Sequence, residues 1–305
     1  MNDRMEILPG VFLTPVQTDK FKTGCFSINF IRPLKKSEVA QNALIPSVLL
    51  RGSVRYPDIR SISARLDELY GASVGSLVRK KGEMQLVGLY ADYVEDKLTD
   101  EPVFRQVLDF TAEILLDPVL ENGCFREDVV RGEKRNLANA IESRINNKRS
   151  YALTQLLRLM CADETYGIAR IGELEDVERV DAAGLYAQYQ ELLAHSRVEI
   201  FYMGAQPAHE AAEAFRSALG ALARGELAQV STEIVRTAGA VRERIEEMDV
   251  AQGKLAIGLR TGCTAADAEY PALLMMNAVF GAGTTSKLFV KVREELSLCY
   301  YAGAS

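Results

Sequence analysis

The stretch ALIPSVLLRG, residues 43–52, decides the fold, because a second stretch of the same kind, ALLMMNAVFG, occurs at residues 272–281. Each is a run of apolar residues that ends in a glycine, which is typical of a buried helix with a glycine at its C-terminal end. Each also follows an alternating strand that ends near an arginine, SINFIRP at 27–33 and LAIGLRT at 255–261. The same strand and helix therefore occur twice in the chain.

A third element extends this repeat. LDELYGASVGS at 66–76 and REELSLCYYAGA at 293–304 both read as the end of a helix that turns into a strand. The three elements recur in the same order at a nearly constant offset of about 230 residues, which indicates a duplicated α+β unit. We therefore predict an N-terminal domain at 1–225, a polar linker at 226–250 and a C-terminal homologous domain at 251–305. The second copy stops soon after its third element, so we expect this domain to be truncated.

The order of the remaining elements favours an α+β fold over a doubly wound parallel sheet, because strands and helices are mixed and do not strictly alternate. We expect each domain to contain a mixed or antiparallel sheet with helices packed on one face. A helix is predicted over 38–51, with Ser37 as its N-cap and Pro46 inside it. The other segments predicted for the first domain are strands at 6–15, 24–33, 72–80, 83–93 and 197–204 and helices at about 59–69, 103–116, 124–147, 149–162, 181–194 and 208–223.

The composition limits which chemistry is available. The 305 residues include two histidines, His195 and His209, and no tryptophan. Two histidines cannot form a three-histidine zinc site, and these two lack the close spacing that directs a pair of imidazoles at one metal. We expect both to be surface or helix-capping residues. The net charge of −6 argues against a nucleic acid or an anionic membrane as the partner.

The cysteines and the apolar segments indicate the compartment. The five cysteines are scattered and form no C-x-x-C motif, which is typical of reduced thiols in the cytoplasm, and a structural role is favoured for each. The start of the chain, MNDRMEILPGVFLTP, lacks the apolar run of a signal peptide. No apolar stretch approaches the roughly 20 residues that a membrane span needs. We therefore expect a cytoplasmic protein that does not contact a membrane.

Two stretches resemble the insulinase/pitrilysin-type zinc metallopeptidases. GAGTTSKLFVKVREELSLCYYAGA at 281–304 is similar to a segment of that family's second domain. ALIPSVLLRGSVRYP at 43–57 is similar to its zinc-site helix, in which H-x-x-E-H precedes an apolar run, a glycine and a serine or threonine. The resemblance extends over essentially the whole chain, and the duplicated α+β unit matches the family's architecture.

The same resemblance implies that the zinc site has been lost. When the stretches are aligned on Gly52 and Ser53, the first histidine of the motif falls on Ala43, its glutamate on Pro46 and its second histidine on Ser47. A catalytic zinc of this type needs two imidazoles, a carboxylate and a nearby base for the attacking water. None of these three residues supplies such a group. We therefore expect no metal, no other cofactor and no catalytic residue.

The helix that would carry the distal ligand reads GEKRNLANAIES at 132–143. The family's pattern here is E-x-x-x-x-x-x-E, with the ligand at the second glutamate. Ala140 takes the ligand position, whereas Glu133 keeps the first glutamate. Two interpretations of Glu133 stay open: a remnant of the old site, or a partly exposed carboxylate that pairs with a neighbouring basic residue.

These departures are similar to those of a bacterial subgroup of the family with a degenerate zinc motif. The gene of such a protein usually lies beside that of a homologue with the intact motif. The resemblance implies a zinc-bearing homologous partner subunit, and an arginine and a tyrosine of this chain, Arg293 and Tyr300, that bind the peptide substrate. A guanidinium and a phenol can donate hydrogen bonds to a peptide carbonyl and to the developing oxyanion. Without the resemblance, Arg293 reads as a helix-surface residue and Tyr300 as a half-buried strand residue.

Three functions follow from these observations. The favoured one is a non-catalytic subunit of a bacterial insulinase/pitrilysin-type peptidase, which binds an extended peptide by strand addition and complements a zinc-bearing partner. The second is a stand-alone peptide-binding or scaffolding homodimer. The third, an active zinc peptidase, is disfavoured by the missing ligands.

Overall fold

The computed structural model describes residues 4–229 and 231–305. These residues divide into two compact units. The first unit extends to Thr232 and also includes Glu246–Ala256, and the second comprises Glu233–Ile245 and Ile257–Ser305. The stretch 226–250 contributes residues to both units, and its role as a linker stays a prediction.

The first unit is built on a six-stranded sheet with the strand order β1-β2-β8-β3-β5-β4. Strands β2 and β8 pair in parallel, whereas every other neighbouring pair in this sheet is antiparallel. The predicted α+β class with a mixed sheet is thus confirmed. The strands of the chain are β1 (Met5–Leu8), β2 (Val11–Gln17), β3 (Thr23–Pro33), β4 (Ser73–Lys81), β5 (Met84–Val94), the short pair β6 (Leu120–Glu121) and β7 (Cys124–Phe125), and β8 (Arg197–Gly204).

The helices of the first unit cover one face of this sheet. Side chains alternate between the two faces along a strand. On β3, Phe26, Ile28 and Phe30 are buried, whereas the intervening Ser27 and Asn29 are only half-buried. The expected arrangement with helices on one face is therefore confirmed. The helices are α1 (Val39–Leu49), α2 (Ile59–Glu68), α3 (Val103–Leu116), α4 (Glu127–Glu142), α5 (Lys148–Met160), α6 (Leu174–Glu178), α7 (Ala182–His195) and α8 (Ala208–Ala218).

Three local predictions in the first domain are wrong. The helix predicted at about 124–147 is shorter, because Cys124 and Phe125 form β7 and α4 spans Glu127–Glu142. The single strand predicted at 6–15 is divided into β1 and β2 by Gly10, which turns the chain with a φ of +69°. The predicted cap Ser37 lies one residue too early, because the N-cap of α1 is Glu38. The Glu38 carboxylate does not cap the helix but binds Arg32 at 3.1 Å and Lys35 at 2.9 Å.

The second unit contains helix α9 (Tyr270–Gly281) and a π-helical segment at Phe289–Glu295. Residues 251–305 contain no strand, so the strand predicted at 255–261, and with it the sheet predicted for the second domain, does not form there. In the first unit, the equivalent strand β3 is paired on both sides, by β5 and β8. A strand is stable only when neighbouring strands pair with it, and none does so within residues 251–305.

Two further features of the described part of the chain bear on the sequence predictions. None of its helices is long and apolar enough to cross a membrane. The five cysteines lie at 25, 124, 161, 263 and 299, and of these Cys161 is buried. Burial raises the pKa of the Cys25 thiol, which disfavours the reactive thiolate and agrees with a structural role.

Candidate functional site

The site that the resemblance assigns lies where α1 packs against α4. Both Ala43 and Pro46 are buried in α1, and Ser47 is half-buried. Most of α1 is apolar and faces the core, since nine of its residues are buried. In the zinc peptidases these positions hold two zinc ligands and the base. In this chain they lie on a helix that packs against the core.

Glu133 lies on α4, and its burial and pairing test the interpretation of a partly exposed carboxylate that pairs with a basic residue. Its side chain is buried, and its Oε1 lies 2.5 Å from Nη2 of Arg51, just beyond the C-terminal end of α1. The Asn136 amide donates a second hydrogen bond to the same oxygen at 3.2 Å. The expected pairing with a basic residue is confirmed. The expected partial exposure is wrong, because the partner comes from another helix end and covers the carboxylate.

The residues at this site do not fit a catalytic zinc. Ala43, Pro46 and Ala140 offer no metal-binding atom, and Ala140 is exposed on α4. A guanidinium already neutralises Glu133, the one carboxylate that is kept. Among residues 4–229 and 231–305, no group of three or more histidine, cysteine, aspartate or glutamate side chains is placed to hold a metal ion. We therefore derive no hydrolytic step for this chain.

We expect the purified, untagged protein to hold less than about one zinc ion per ten chains after dialysis against zinc-free buffer, because the ligands of such a site are missing. Inductively coupled plasma mass spectrometry measures this ratio directly. A homologue that retains H-x-x-E-H, treated in the same way, is the control and should keep its zinc. Stoichiometric zinc on the isolated chain would contradict the loss of the site.

The two histidines lie at helix ends, as the sequence predicts. His195 is the last residue of α7, with Nδ1 2.8 Å from the carbonyl oxygen of Glu226 and Nε2 3.8 Å from the Glu191 carboxylate. His209 lies in the first turn of α8, and 82% of its side chain is exposed. The expectation that both are surface or capping residues is confirmed.

Both predicted substrate-binding residues are exposed in the second unit. Arg293 lies in the π-helical segment, with its guanidinium 4.6 Å from the centroid of the Phe289 ring and 3.6 Å from the Glu294 carboxylate. Tyr300 is 78% exposed and lies outside any strand, so its expected half-burial in a strand is wrong. Both side chains present their polar groups to solvent, and their role in substrate binding stays a prediction.

A buried network of side-chain amides lies beside α1 and is not predicted by the sequence. Asn42 donates to Oε1 of Gln85 at 3.1 Å, and Gln188 donates to Oδ1 of Asn42 at 2.9 Å. Gln85 also donates to the carbonyl oxygens of Val39 at 3.0 Å and Arg170 at 2.8 Å. The network joins α1, β5, α7 and the loop around Arg170. These partners are far apart in the sequence, so no local pattern marks them.

The two edges of the sheet differ in how readily they can accept another strand. Strand β1 has four residues, and its register with β2 shifts between Glu6 and Leu8. Strand β4 has nine residues and pairs with β5 in an unbroken antiparallel register from Ser73 to Lys81. A short or irregular edge discourages further pairing, whereas a long regular edge presents a row of unpaired backbone groups. Strand β4, which packs against α1, is therefore the open edge.

Comparison with known proteins agrees with this fold and with the missing ligands. A family model described as the peptidase M16 inactive domain matches residues 179–305. The probable inactive metalloprotease YmfF of Bacillus subtilis is 35% identical over 291 residues, which cover 95% of this chain and 68% of that protein.

Two solved structures extend the comparison. The crystal structure of a conserved protein from Enterococcus faecalis V583 has a TM-score of 0.88 at 30% identity and covers 100% of this chain and 72% of that chain. The peptidase M16 inactive domain from Pseudomonas fluorescens shares the fold with a TM-score of 0.72 at 19% identity, over 98% of this chain and 69% of that chain. The chain thus belongs to the insulinase/pitrilysin-type (M16) metallopeptidase family, as a member with Ala43, Pro46 and Ser47 at the positions of the two histidines and the glutamate of the zinc motif.

Proposed function

We propose that the protein is a non-catalytic subunit of a bacterial M16 peptidase, which binds an extended peptide and complements a zinc-bearing homologous partner. The observation that carries this proposal is the open edge of β4 beside a helix that has lost its zinc ligands. A chain that retains the peptidase fold and a strand edge but has no metal chemistry is suited to hold a substrate that another subunit cleaves.

Strand addition explains how β4 would bind a peptide. An extended peptide adds to a sheet edge through main-chain hydrogen bonds, and its alternate side chains meet the surface on either side. Strand β4 offers nine residues in an unbroken register for this pairing. Binding through the main chain places little demand on the peptide sequence, so β4 alone would give affinity and little selectivity.

Arg293 and Tyr300 would act in the assembled complex. Both are exposed, so their guanidinium and phenol groups are available to a peptide held at the partner's zinc. There they would donate hydrogen bonds to the scissile carbonyl and to the oxyanion that develops from it. We place this pairing in the cytoplasm, because the scattered cysteines without a C-x-x-C motif are typical of reduced thiols.

Mixing the protein with the homologue encoded beside its gene tests this proposal. We expect the two chains to co-elute in size-exclusion chromatography and the mixture to hydrolyse a quenched fluorescent peptide faster than the homologue alone. Arg293→Ala and Tyr300→Phe should each lower the turnover of the mixture by about 100-fold, since one oxyanion donor contributes about this much, without changing the elution. Lys287→Ala is the matched control, because Lys287 is an exposed basic residue of the stretch 281–304, which also contains Arg293 and Tyr300.

Two results would count against the proposal. If the chains do not associate and the hydrolysis rate does not change, this protein is not a subunit of that peptidase. Self-association together with peptide binding, and no effect on the homologue, would instead favour the stand-alone peptide-binding homodimer.

A further inference from the structure

Two arginines of the first unit, Arg158 and Arg170, lie close enough to a third, Arg144, for their charges to act on it. Arg144 is in the 3-10 turn that follows α4, Arg158 is on α5, and Arg170 is in the loop before α6. Burial lowers the pKa of the Arg144 guanidinium, Glu173 offsets part of this, and repulsion from Arg158 and Arg170 lowers it further. We name these three residues the arginine cluster.

The carboxylate whose charge favours the Arg144 cation is that of Glu173, which forms an ion pair with the guanidinium of Arg158. Nη1 of Arg144 is buried, and no atom of residues 4–229 and 231–305 accepts a hydrogen bond from it. A buried N–H of a cation without an acceptor is expensive in free energy, because it has lost its water and gained nothing in exchange. Such a group is available to an acceptor from outside the chain, for example an anion.

The arginine cluster adjoins one end of the open edge. The carbonyl oxygen of Arg170 accepts a hydrogen bond from Gln85, near the start of β5. The ammonium of Lys80, near the end of β4, donates to the carbonyl oxygens of Tyr166 and Ile168 in the same loop, at 3.0 Å for Ile168. The loop that carries Arg170 is thus attached to the β4–β5 turn. A peptide that adds to β4 and reaches this end would therefore lie next to the loop that carries Arg170.

We propose that Arg144, Arg158 and Arg170 bind a carboxylate of the peptide that adds to β4, and so select acidic peptides. This inference rests on the proposed function, since it needs a peptide at the β4 edge. Guanidinium groups match a carboxylate because their planar N–H donors meet both of its oxygens. The carboxylate is either a glutamate or aspartate side chain or the C-terminus of the peptide.

Fluorescence anisotropy with labelled peptides tests this inference. The probes are extended threonine–valine peptides of about twelve residues, long enough to span β4, with glutamates or glutamines at one end or the other. Each peptide is made with a free and with an amidated C-terminus, which separates the two sources of the carboxylate. We expect the wild-type protein to bind at least one acidic peptide about tenfold more tightly than its neutral counterpart.

Variants of the cluster should remove this preference alone. In Arg144→Gln/Arg170→Gln, we expect the acidic peptide to bind no more tightly than the neutral one, whose affinity stays unchanged. Arg131→Gln, an exposed arginine on α4, should keep the preference. The melting temperature of Arg144→Gln should stay the same or rise, because the change removes a half-buried charge that its neighbours repel. If Arg144 had only a structural role, its substitution would lower the melting temperature.

The possible failures can be told apart. If acidic and neutral peptides bind equally well to the wild type, or if the variants keep the preference, the inference is wrong and the proposed function stands. If no peptide binds, both are wrong. A lower melting temperature for Arg144→Gln with an intact preference would assign Arg144 a structural role and overturn its part in the site.

Discussion

Gly88→Ala is expected to destabilise the first unit by about 4 kcal/mol or more, which places it among the largest effects of single substitutions. Gly88 lies in β5, opposite Asn29 of β3. A Cβ atom at this position would lie 1.8 Å from the carbonyl oxygen of Ile28 and 2.9 Å from its carbonyl carbon. Both are backbone atoms of a central strand, so they can move away only if β3 and β5 separate.

Urea unfolding followed by far-ultraviolet circular dichroism measures this effect, and Gly132→Ala is the matched control. Gly132 lies inside α4, and a Cβ there would meet nothing within 4 Å. The same substitution should therefore stabilise the protein by about 0.5–1 kcal/mol, the usual advantage of alanine over glycine in a helix. If both substitutions change the free energy of unfolding by the same amount, Gly88 does not approach the backbone of Ile28 closely enough to exclude a Cβ atom.

Arg51→Leu is expected to lower the free energy of unfolding by about 2–3 kcal/mol, because it leaves the buried Glu133 carboxylate without its cation. The Glu133 side chain is 8% exposed and that of Arg51 37%, so water can reach the guanidinium but hardly the carboxylate. The effect should therefore lie at or below the lower end of the range for a broken buried ion pair. The carboxylate keeps only the hydrogen bond from Asn136.

A double-mutant cycle separates the pair from its two members. Arg51→Leu/Glu133→Leu should recover most of the lost stability, since two apolar side chains often replace a buried ion pair at little cost. Arg126→Leu, which breaks the exposed pair with Asp128, is the control and should change the stability by less than about 1 kcal/mol. If the double variant is as unstable as Arg51→Leu alone, the unpaired carboxylate does not explain the loss.

Much of the first domain can be predicted from local patterns. The helix predicted at 103–116 and the strand predicted at 197–204 match α3 and β8 residue for residue. These segments have a clear apolar periodicity, and each is long enough for packing to keep it intact. The cap predicted at Ser37 is one residue too early, because the N-cap is Glu38, whose carboxylate binds Arg32 and Lys35 and does not cap the helix. The strand at 255–261 fails because a strand signal gives no structure without neighbouring strands.

The candidate site divides in the same way. The loss of the zinc ligands can be read from Ala43, Pro46 and Ser47 alone, since the identities of the residues settle it. The partner of Glu133 cannot be read in this way, because Arg51 belongs to another helix end and only the packing of α1 on α4 brings the two together. The arginine cluster is equally hidden, because a turn, a helix and a loop each contribute one member.

The pairing of Arg51 with Glu133 also bears on how this protein can evolve. A lineage that regained histidines at Ala43 and Ser47 would force large polar rings into a packed helix that still contains Pro46. It would also have to give up Arg51 before Glu133 became available again. Each step would remove a sizeable part of a folding stability that is only about 5–15 kcal/mol for a typical domain. The loss of the zinc ligands is therefore entrenched in the packing of this chain.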